Sequence, residues 1–200
     1  MSLINNCVNS ILLTGSKKLN KFFLFEAAVY WAEQGHRVFY FGPEKLQSSQ
    51  FMHHDRSNPN SEAFKMMRFI YVSNYEALVE QLVDVHTIAP PPSVLLVDDF
   101  DNYIHDSDIK EKKEVHIARL CALLFDTMNT CAEILERKVH IFISISSELN
   151  FIHQIYFNKF WTIEEENENI VKLKQIGNSK IYEYRKFDNN NIILKQIIYD

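Results

Sequence analysis

The sequence predicts one α/β domain with a mostly parallel sheet, followed by an antiparallel β-meander at the C-terminal end. Strand-like and helix-like segments alternate over about residues 1–150, and only strand-like segments follow over about residues 151–200. Alternating elements favour a parallel sheet with right-handed crossovers. Because 200 residues fit one domain and four Gly and five Pro leave little room for a linker, we expect residues 1–200 to fold as one unit.

Apolar runs and helical spacing define the elements of the predicted core. The strands are Val8–Leu13, Arg37–Phe41, Lys65–Val72, Ser93–Val97 and Val139–Ser144. The helices are Phe22–Glu33, a helix capped by Ser73 with Glu76 three residues on and running through His86, and Lys110–Arg137. Gly35 follows the first helix where a helix usually ends, and three prolines before Ser93 exclude helix there.

Four strand-like segments separated by polar turns predict the meander. The segments are Phe160–Ile163, Ile170–Ile176, Lys180–Phe187 and Asn191–Tyr199. The first break is Glu164–Asn169, so the run Glu164–Glu166 is expected at a hairpin tip. Four aromatic residues precede or open the meander, and they suit either a partner interface or the core: Phe151, Tyr156, Phe157 and Trp161.

Composition limits the classes of function. A net charge of -5 argues against a strong autonomous nucleic-acid binder, which usually presents a basic face. The chain has no apolar run of the roughly 20 residues that span a bilayer, so we expect no membrane association. Cys7, Cys121 and Cys131 lack the paired spacing of a zinc site, and we expect an intracellular protein with reduced cysteines and no metal site.

A degenerate phosphate-binding loop lies between the first strand and the first helix. The P-loop pattern is Gly, four residues, Gly-Lys, then Ser or Thr, in which backbone N–H groups and the Lys hold phosphates and the hydroxyl holds Mg²⁺. Gly15 and Lys21 fit this pattern, whereas Asn20 replaces the second Gly and Phe22 replaces the hydroxyl residue. Since Asn can adopt positive φ, we expect the turn at Asn20 to be retained.

A second motif supports the first. The aliphatic run Val94–Val97 ends in Asp98-Asp99, and P-loop proteins place an Asp beside Mg²⁺ at the end of such a strand. Each motif alone also fits an ordinary polar turn. Their order along the chain, with helices between them, predicts a P-loop NTPase fold.

The middle of the chain resembles a specific family. Residues 64–104, FKMMRFIYVSNYEALVEQLVDVHTIAPPPSVLLVDDFDNYI, and residues 117–148, IARLCALLFDTMNTCAEILERKVHIFISISSE, resemble the SWIM-domain-associated RecA-like ATPase. That family is a distant recombinase paralogue that partners a SWIM zinc-finger protein in the animal Shu complex. A weaker match continues through NKFWTIEEE and the final strands, so the resemblance covers nearly the whole length.

The resemblance implies a RecA-like core and a nuclear accessory role in homologous-recombination repair of DNA double-strand breaks. It implies binding of single-stranded DNA, support of recombinase filaments, and partnership with a SWIM zinc-finger protein and with RecA-family recombinases or their paralogues. By position, Gly15, Lys21 and Asp98 form the nucleotide site, with ATP as its ligand. Candidate DNA contacts are Lys110, Lys112 and Lys113, which follow the acidic strand end. The departures at Asn20 and Phe22 predict weak or absent hydrolysis.

Two further readings stay open at the level of sequence. One is a working P-loop ATPase or nucleoside-phosphate kinase, against which Phe22 and the absence of an obvious catalytic base both count. The other is a RecA-like, non-catalytic subunit of the Elongator complex, which acts on transfer RNA.

Overall fold

One nine-stranded sheet runs through the chain. The computed structural model describes residues 7–46, 61–104, 112–187 and 192–199. The strands are β1 (Val8–Thr14), β2 (Val38–Gly42), β3 (Met67–Tyr71), β4 (Val94–Val97), β5 (Val139–Ile145), β6 (Lys159–Asn167), β7 (Ile170–Gln175), β8 (Lys180–Lys186) and β9 (Ile192–Tyr199). Their order is β3-β2-β4-β5-β1-β6-β7-β8-β9. The first six strands pair in parallel and β6 to β9 pair antiparallel, which confirms the predicted architecture.

Helices cover both faces of the parallel strands. They are α1 (Lys17–Glu33), α2 (Ser61–Lys65), α3 (Tyr75–Asp84), α4 (Asp101–Ile104), α5 (Lys113–Leu135) and α6 (Phe151–Tyr156). Successive side chains of a strand point to opposite faces. Accordingly, Phe39 and Leu95 pack into the cluster that contains the α3 and α5 side chains, while Tyr40 and Leu96 pack against α1. The strands are buried on both sides, which is why their sequences read as continuous apolar runs.

Several predicted element boundaries are wrong. The helix cap before α3 is Asn74, not Ser73, because the Asn74 side chain accepts a hydrogen bond from the Ala77 N–H at 2.9 Å. The third strand begins at Met67, since a short helix occupies Ser61–Lys65 ahead of it. The first helix begins at Lys17, five residues before its predicted start at Phe22.

The expectations for the meander also need correction. Glu164–Glu166 belongs to β6 and is not a hairpin tip, because Lys172 and Lys174 on β7 pair with Glu166 and Glu164 and extend the ladder. Of the four aromatic residues considered for an interface, Phe157 is buried in the core. Tyr156 and Trp161 are half-buried, and Phe151 is exposed.

An imidazole cluster lies beside the N-terminal end of β5. The His140 ring packs against the Trp31 indole with centroids 4.2 Å apart, and the His36 ring lies 5.9 Å from His140. Burial lowers the pKa of His140 from its ordinary value of 6.5 to about 4, and the neighbouring His36, Lys159 and Arg137 act in the same direction. Burial also lowers the pKa of His36. The folded protein therefore holds both rings neutral at pH 7.

We predict that stability falls as the pH is lowered from about 6.5 to about 4. In this window the unfolded chain, with an ordinary His140 pKa, binds a proton that the folded chain does not. His140→Gln should reduce the slope without abolishing it, because the pKa values of His36 and His153 are also lowered. Urea unfolding midpoints measured at several pH values would check this, and an unchanged slope in the variant would count against it.

Candidate functional site

The connection from β1 to α1 is too short to form a phosphate-binding loop. Only Gly15 and Ser16 separate the two elements, and the residues that a P-loop would use as loop form the first helical turn. The Asn20 N–H donates to the Ser16 carbonyl at 2.9 Å, as in an ordinary helix. Positive φ occurs in the described non-glycine residues only at Asp99 and Glu136, so the expected turn at Asn20 is wrong.

The Asn20 side chain forms hydrogen bonds to the backbone of this connection and of β5. Its amide nitrogen donates to the Gly15 carbonyl at 3.0 Å and to the Ile145 carbonyl at 2.8 Å. Asn20 is 2% exposed, so these bonds join the ends of β1 and β5 inside the protein. The position that a P-loop gives to glycine, for close approach of a phosphate, is therefore used to tie two strands together.

Gly15 is required by packing. A Cβ at this position would lie 2.9 Å from the Ile163 Cβ and 3.0 Å from the Asn20 Oδ1. Real Cβ atoms essentially never approach so closely, and Ile163 cannot withdraw because it belongs to β6. Gly15, the glycine that opens the predicted loop, thus leaves the space that Ile163 of β6 needs.

The two sequence motifs meet, as their order in the chain predicts. Lys21 Nζ lies 3.8 Å from Asp98 Oδ2, and both side chains are largely buried. Asp98 Oδ1 accepts a hydrogen bond from the Ser144 hydroxyl at 3.1 Å. Burial raises the pKa of Asp98, and the Lys21 ammonium opposes that rise. The buried Tyr40 hydroxyl faces the same carboxylate, and burial followed by that charge raises the pKa of Tyr40.

A second ion pair lies outside the first. Lys17 Nζ contacts Asp99 Oδ2 at 2.9 Å, and the Lys17 side chain is 66% exposed. Asp99 has φ of 49°, in the left-handed region. Its N–H donates to the Ser144 hydroxyl at 3.0 Å, so one serine positions both acidic residues at the end of β4.

A carboxylate from the meander lies at the start of α1. The Ser16 hydroxyl donates to Glu165 Oε1 at 3.1 Å, and Lys186 forms an ion pair with Glu165 Oε2. The hydrogen bond from Lys186 lowers the pKa of Glu165, with smaller contributions from Ser16 and Lys18. A carboxylate therefore lies beside Ser16, the residue before the helix end that a P-loop protein offers to phosphate.

Phe22 faces the meander and not the acidic residues. It is 2% exposed and packs in one cluster with Leu13, Ile163 and Val171. Its ring also makes an edge-to-face contact with Phe23, with centroids 5.0 Å apart. The Mg²⁺-ligand position of the motif has become part of the hydrophobic core.

Sequence reasoning missed residues that stabilise the surrounding loop. Asp101 accepts hydrogen bonds from the backbone N–H and the hydroxyl of both Ser146 and Ser147, at 2.5–3.1 Å. Burial acts to raise the pKa of Asp101, but these hydrogen bonds outweigh it and lower that pKa. The available signal was the short spacing from Asp98 to Asp101 together with the paired serines after β5.

The candidate DNA contacts Lys112 and Lys113 belong to a different element from Lys21 and Asp98. Lys112 and Lys113 are exposed at the start of α5, and Lys110 lies outside the described residues. Within the described ranges, no group of three or more side chains is arranged to hold a metal ion. No helix in those ranges is long and apolar enough to cross a bilayer. The three described cysteines are free thiols.

Comparison with known proteins gives the fold. No protein family matches the chain by sequence profile, and no curated protein matches it. Among solved structures it is similar to a KaiC-like protein from the hyperthermophilic archaeon Pyrococcus horikoshii OT3, with 13% identity and a TM-score of 0.63 over 94% of this chain and 90% of that one. A second solved structure, described as an ATPase domain, has 9% sequence identity and a TM-score of 0.61. The match covers 94% of this chain and 85% of that one. A DnaB-like replicative helicase, described with its interactions with primase, has 9% sequence identity and a TM-score of 0.59. The match covers 96% of this chain and 58% of the helicase chain.

The fold is that of a RecA-like P-loop ATPase domain. Identities of 9–13% show the fold alone. Gly15, Lys21 and Asp98 remain the predicted nucleotide site, now with a geometry in which Lys21 faces Asp98.

We predict that Lys21→Met lowers the free energy of unfolding by about 2 kcal/mol, because it leaves the buried Asp98 carboxylate without its counter-charge. Asp98→Asn should cost less, since the amide keeps a hydrogen bond to Ser144 and Lys21 can reach water. The double variant should recover most of the loss. Lys17→Met is the matched control and should cost less than about 1 kcal/mol, since the Lys17 side chain is 66% exposed. Chemical denaturation measures all four, and additive effects of the two buried substitutions would contradict the coupling.

A second prediction concerns the position that lost its hydroxyl. Phe22→Thr should lower the free energy of unfolding by about 3 kcal/mol, because it opens a cavity in the cluster under the meander. It should not create Mg²⁺-dependent ATP hydrolysis, since the side chain points away from Asp98. Tyr30→Thr, on the same helix and 53% exposed, is the control and should cost less than about 1 kcal/mol. Turnover gained by Phe22→Thr would show that the side chain can reach the site.

Proposed function

We propose that this chain is a non-hydrolysing RecA-like accessory subunit in homologous-recombination repair of DNA double-strand breaks, acting within a Shu-type complex in the nucleus. The observation that carries the non-hydrolysing part is the pairing of the cations at the start of α1 with carboxylates of the same chain. Lys21 faces Asp98, Lys17 contacts Asp99, and Lys18 lies close enough to Glu165 to lower its pKa. Charges that a P-loop protein keeps for phosphate are thus balanced internally.

Catalysis of phosphoryl transfer needs parts that this site lacks. Mg²⁺ supplies the main counter-charge in that reaction, and a P-loop hydroxyl is one of its ligands. Phe22 is buried away from Asp98, and no flexible glycine cradle surrounds the lysine in the described β1–α1 connection. These features argue against a working ATPase or kinase. We therefore assign ATP no required role in the activity of the chain.

The DNA-related part of the proposal rests on the resemblance at residues 64–104 and 117–148, with support from the placement of two basic residues. Lys112 and Lys113 are exposed at the start of α5, on a chain whose net charge is -5. Phosphate neutralisation supplies most non-specific affinity for DNA, so two lysines on an acidic protein give weak binding. We propose that a SWIM zinc-finger partner strengthens the contact with single-stranded DNA and that the complex supports recombinase filaments.

We predict that the isolated chain binds single-stranded DNA weakly and that affinity falls steeply with salt. Co-expression with a SWIM-domain protein should give a complex that binds more tightly, and ATP with Mg²⁺ should leave that affinity unchanged. Lys112→Gln combined with Lys113→Gln should weaken binding and reduce the salt slope by about 2. Fluorescence anisotropy with a labelled oligonucleotide measures each quantity.

The control is Lys138→Gln combined with Lys159→Gln, which removes the same charge at the N-terminal ends of β5 and β6. If both double variants lose the same affinity for single-stranded DNA, the start of α5 is not a specific DNA contact. Steady-state hydrolysis above background that Lys21→Ala abolishes would overturn the non-hydrolysing assignment. If a pull-down with this chain recovers Elongator subunits in place of a SWIM-domain protein, the recombination assignment is overturned.

A further inference from the structure

The meander has two faces of different character. Residues directly opposite each other on neighbouring strands project to the same face of a sheet. Ile163, Leu173, Tyr182 and Ile197 are opposite one another across β6, β7, β8 and β9. Val171, Tyr184 and Leu194 form a second row of the same kind. Because Ile163 and Val171 pack against Phe22 and Phe23, this is the face that α1 covers.

The cover provided by α1 stops before the end of the sheet. In the first row Ile163 is 7% exposed and Ile197 is 44% exposed; in the second row exposure rises from 0% at Val171 to 42% at Leu194. Tyr199, on β9 opposite Lys180, is 66% exposed. We name Leu194, Ile197 and Tyr199 the β9 ledge. The α1 helix still buries Ile192 at the start of β9 and leaves the ledge bare.

The opposite face of the meander carries three ion pairs between neighbouring strands. Glu164 pairs with Lys174 at 2.6 Å and Glu166 pairs with Lys172 at 2.9 Å. Glu183 accepts from Lys195 at 2.8 Å and from Gln196 at 3.2 Å. Three isoleucines, Ile181, Ile193 and Ile198, also lie on this face, so it is mixed. The face toward α1 is mostly apolar, with charged residues at Glu165, Lys180 and Lys186.

The free edge of β9 is protected against strand addition. The pairing of β8 with β9 shifts between Glu183 and Tyr184, so that Lys195 has no opposite residue. A bulge and a lysine in an edge strand both disfavour pairing with a further strand. A partner therefore meets β9 from its apolar face and not along its edge.

The size and position of the ledge fit one helix. Its three partly exposed side chains, at 42–66% exposure, offer far less than the roughly 800 Å² from each partner that a stable dimer of two copies needs. The cluster under α1 reaches from Ile163 on β6 to Tyr184 on β8 and Ile192 at the start of β9, and a second helix beside α1 would cover the rest of β9. Layered α/β folds cover apolar sheet faces in this way.

One charge beside the ledge indicates the chemistry of its occupant. Lys180 is exposed, and its Nζ lies 5.6 Å from the Tyr199 ring centroid. It forms no ion pair within the part of the chain that the structure describes. An acidic residue at one end of the occupant would meet this ammonium next to an aromatic ring, where the charge pair is partly shielded from water.

We propose that the β9 ledge docks an amphipathic helix of a partner protein, which lies beside α1 with apolar residues at i, i+3, i+4 and i+7 and an acidic residue facing Lys180. The proposal is independent of the DNA-related function, because it rests on the pairing, exposure and charge of the meander alone.

The test uses the full chain and a synthetic amphipathic peptide of about 18 residues with that apolar spacing and one terminal Glu. A peptide of equal composition with scrambled leucines is the reference. Fluorescence anisotropy should show saturable binding of the amphipathic peptide only. Ile197→Glu should weaken binding at least tenfold. Ile155→Glu, a 68% exposed isoleucine on α6, should leave it unchanged. Lys180→Glu should weaken binding, and a peptide with Lys in place of Glu should restore it.

Circular dichroism and thermal melting verify that each variant is folded. If Ile197→Glu unfolds, Tyr199→Lys replaces it, because that side chain is the most exposed of the three. Absence of saturable binding to the wild-type chain overturns the proposal. Equal binding of both peptides, or equal losses from Ile197→Glu and Ile155→Glu, overturns it as well.

Discussion

The parallel pairing of β6 with β1 determines most of what is unusual about this protein. Leu13 lies opposite Trp161 and Thr14 lies opposite Thr162, so the next residues, Gly15 and Ile163, are neighbours at the carboxyl end of β1. A phosphate-binding loop needs open space above that strand end. Here Ile163 fills that space and lies so close to residue 15 that only a glycine fits at that position. The chain then turns into α1 within two residues, and the cradle of backbone N–H groups has no room to form.

The charges around this strand end follow from the same arrangement. A helix that begins at Lys17 brings its first basic residues next to the acidic end of β4, where Asp98 and Asp99 lie. The extension of β6 carries Glu165 to Ser16 from the other side. Burial raises the pKa of Asp98 and the Lys21 ammonium opposes that rise, so Lys21 acts as the counter-charge of a buried carboxylate. The site resembles a nucleotide site in residue types and differs from one in what those residues contact.

The sequence predicted the elements that depend on periodicity and failed where contacts distant in the chain decide the outcome. Apolar runs at Ser93–Val97 and Val139–Ser144 and the helical spacing within Lys110–Arg137 depend on burial. They predicted the strands and the long helix, which the structure bounds at Lys113–Leu135. The start of α1 could not be read from residues 15–22, because it depends on Ile163 and on the Ile145 carbonyl that binds Asn20. Glu164–Glu166 read as a turn because the lysines that neutralise them lie on the next strand.

The loss of the Mg²⁺-ligand hydroxyl and the presence of the meander are two consequences of one packing requirement. The meander is an antiparallel sheet of four strands, and the apolar residues on its face toward α1 must be covered for it to be stable. Phe22 and Phe23 in the first turns of α1 provide that cover, together with Leu19. A Thr or Ser at position 22 would face the same cluster and would leave it short of apolar contact. A side chain on that face of the helix cannot also reach a cation beside Asp98. In this chain the position therefore serves the attachment of the meander, and the same helix leaves the outer part of β9 uncovered.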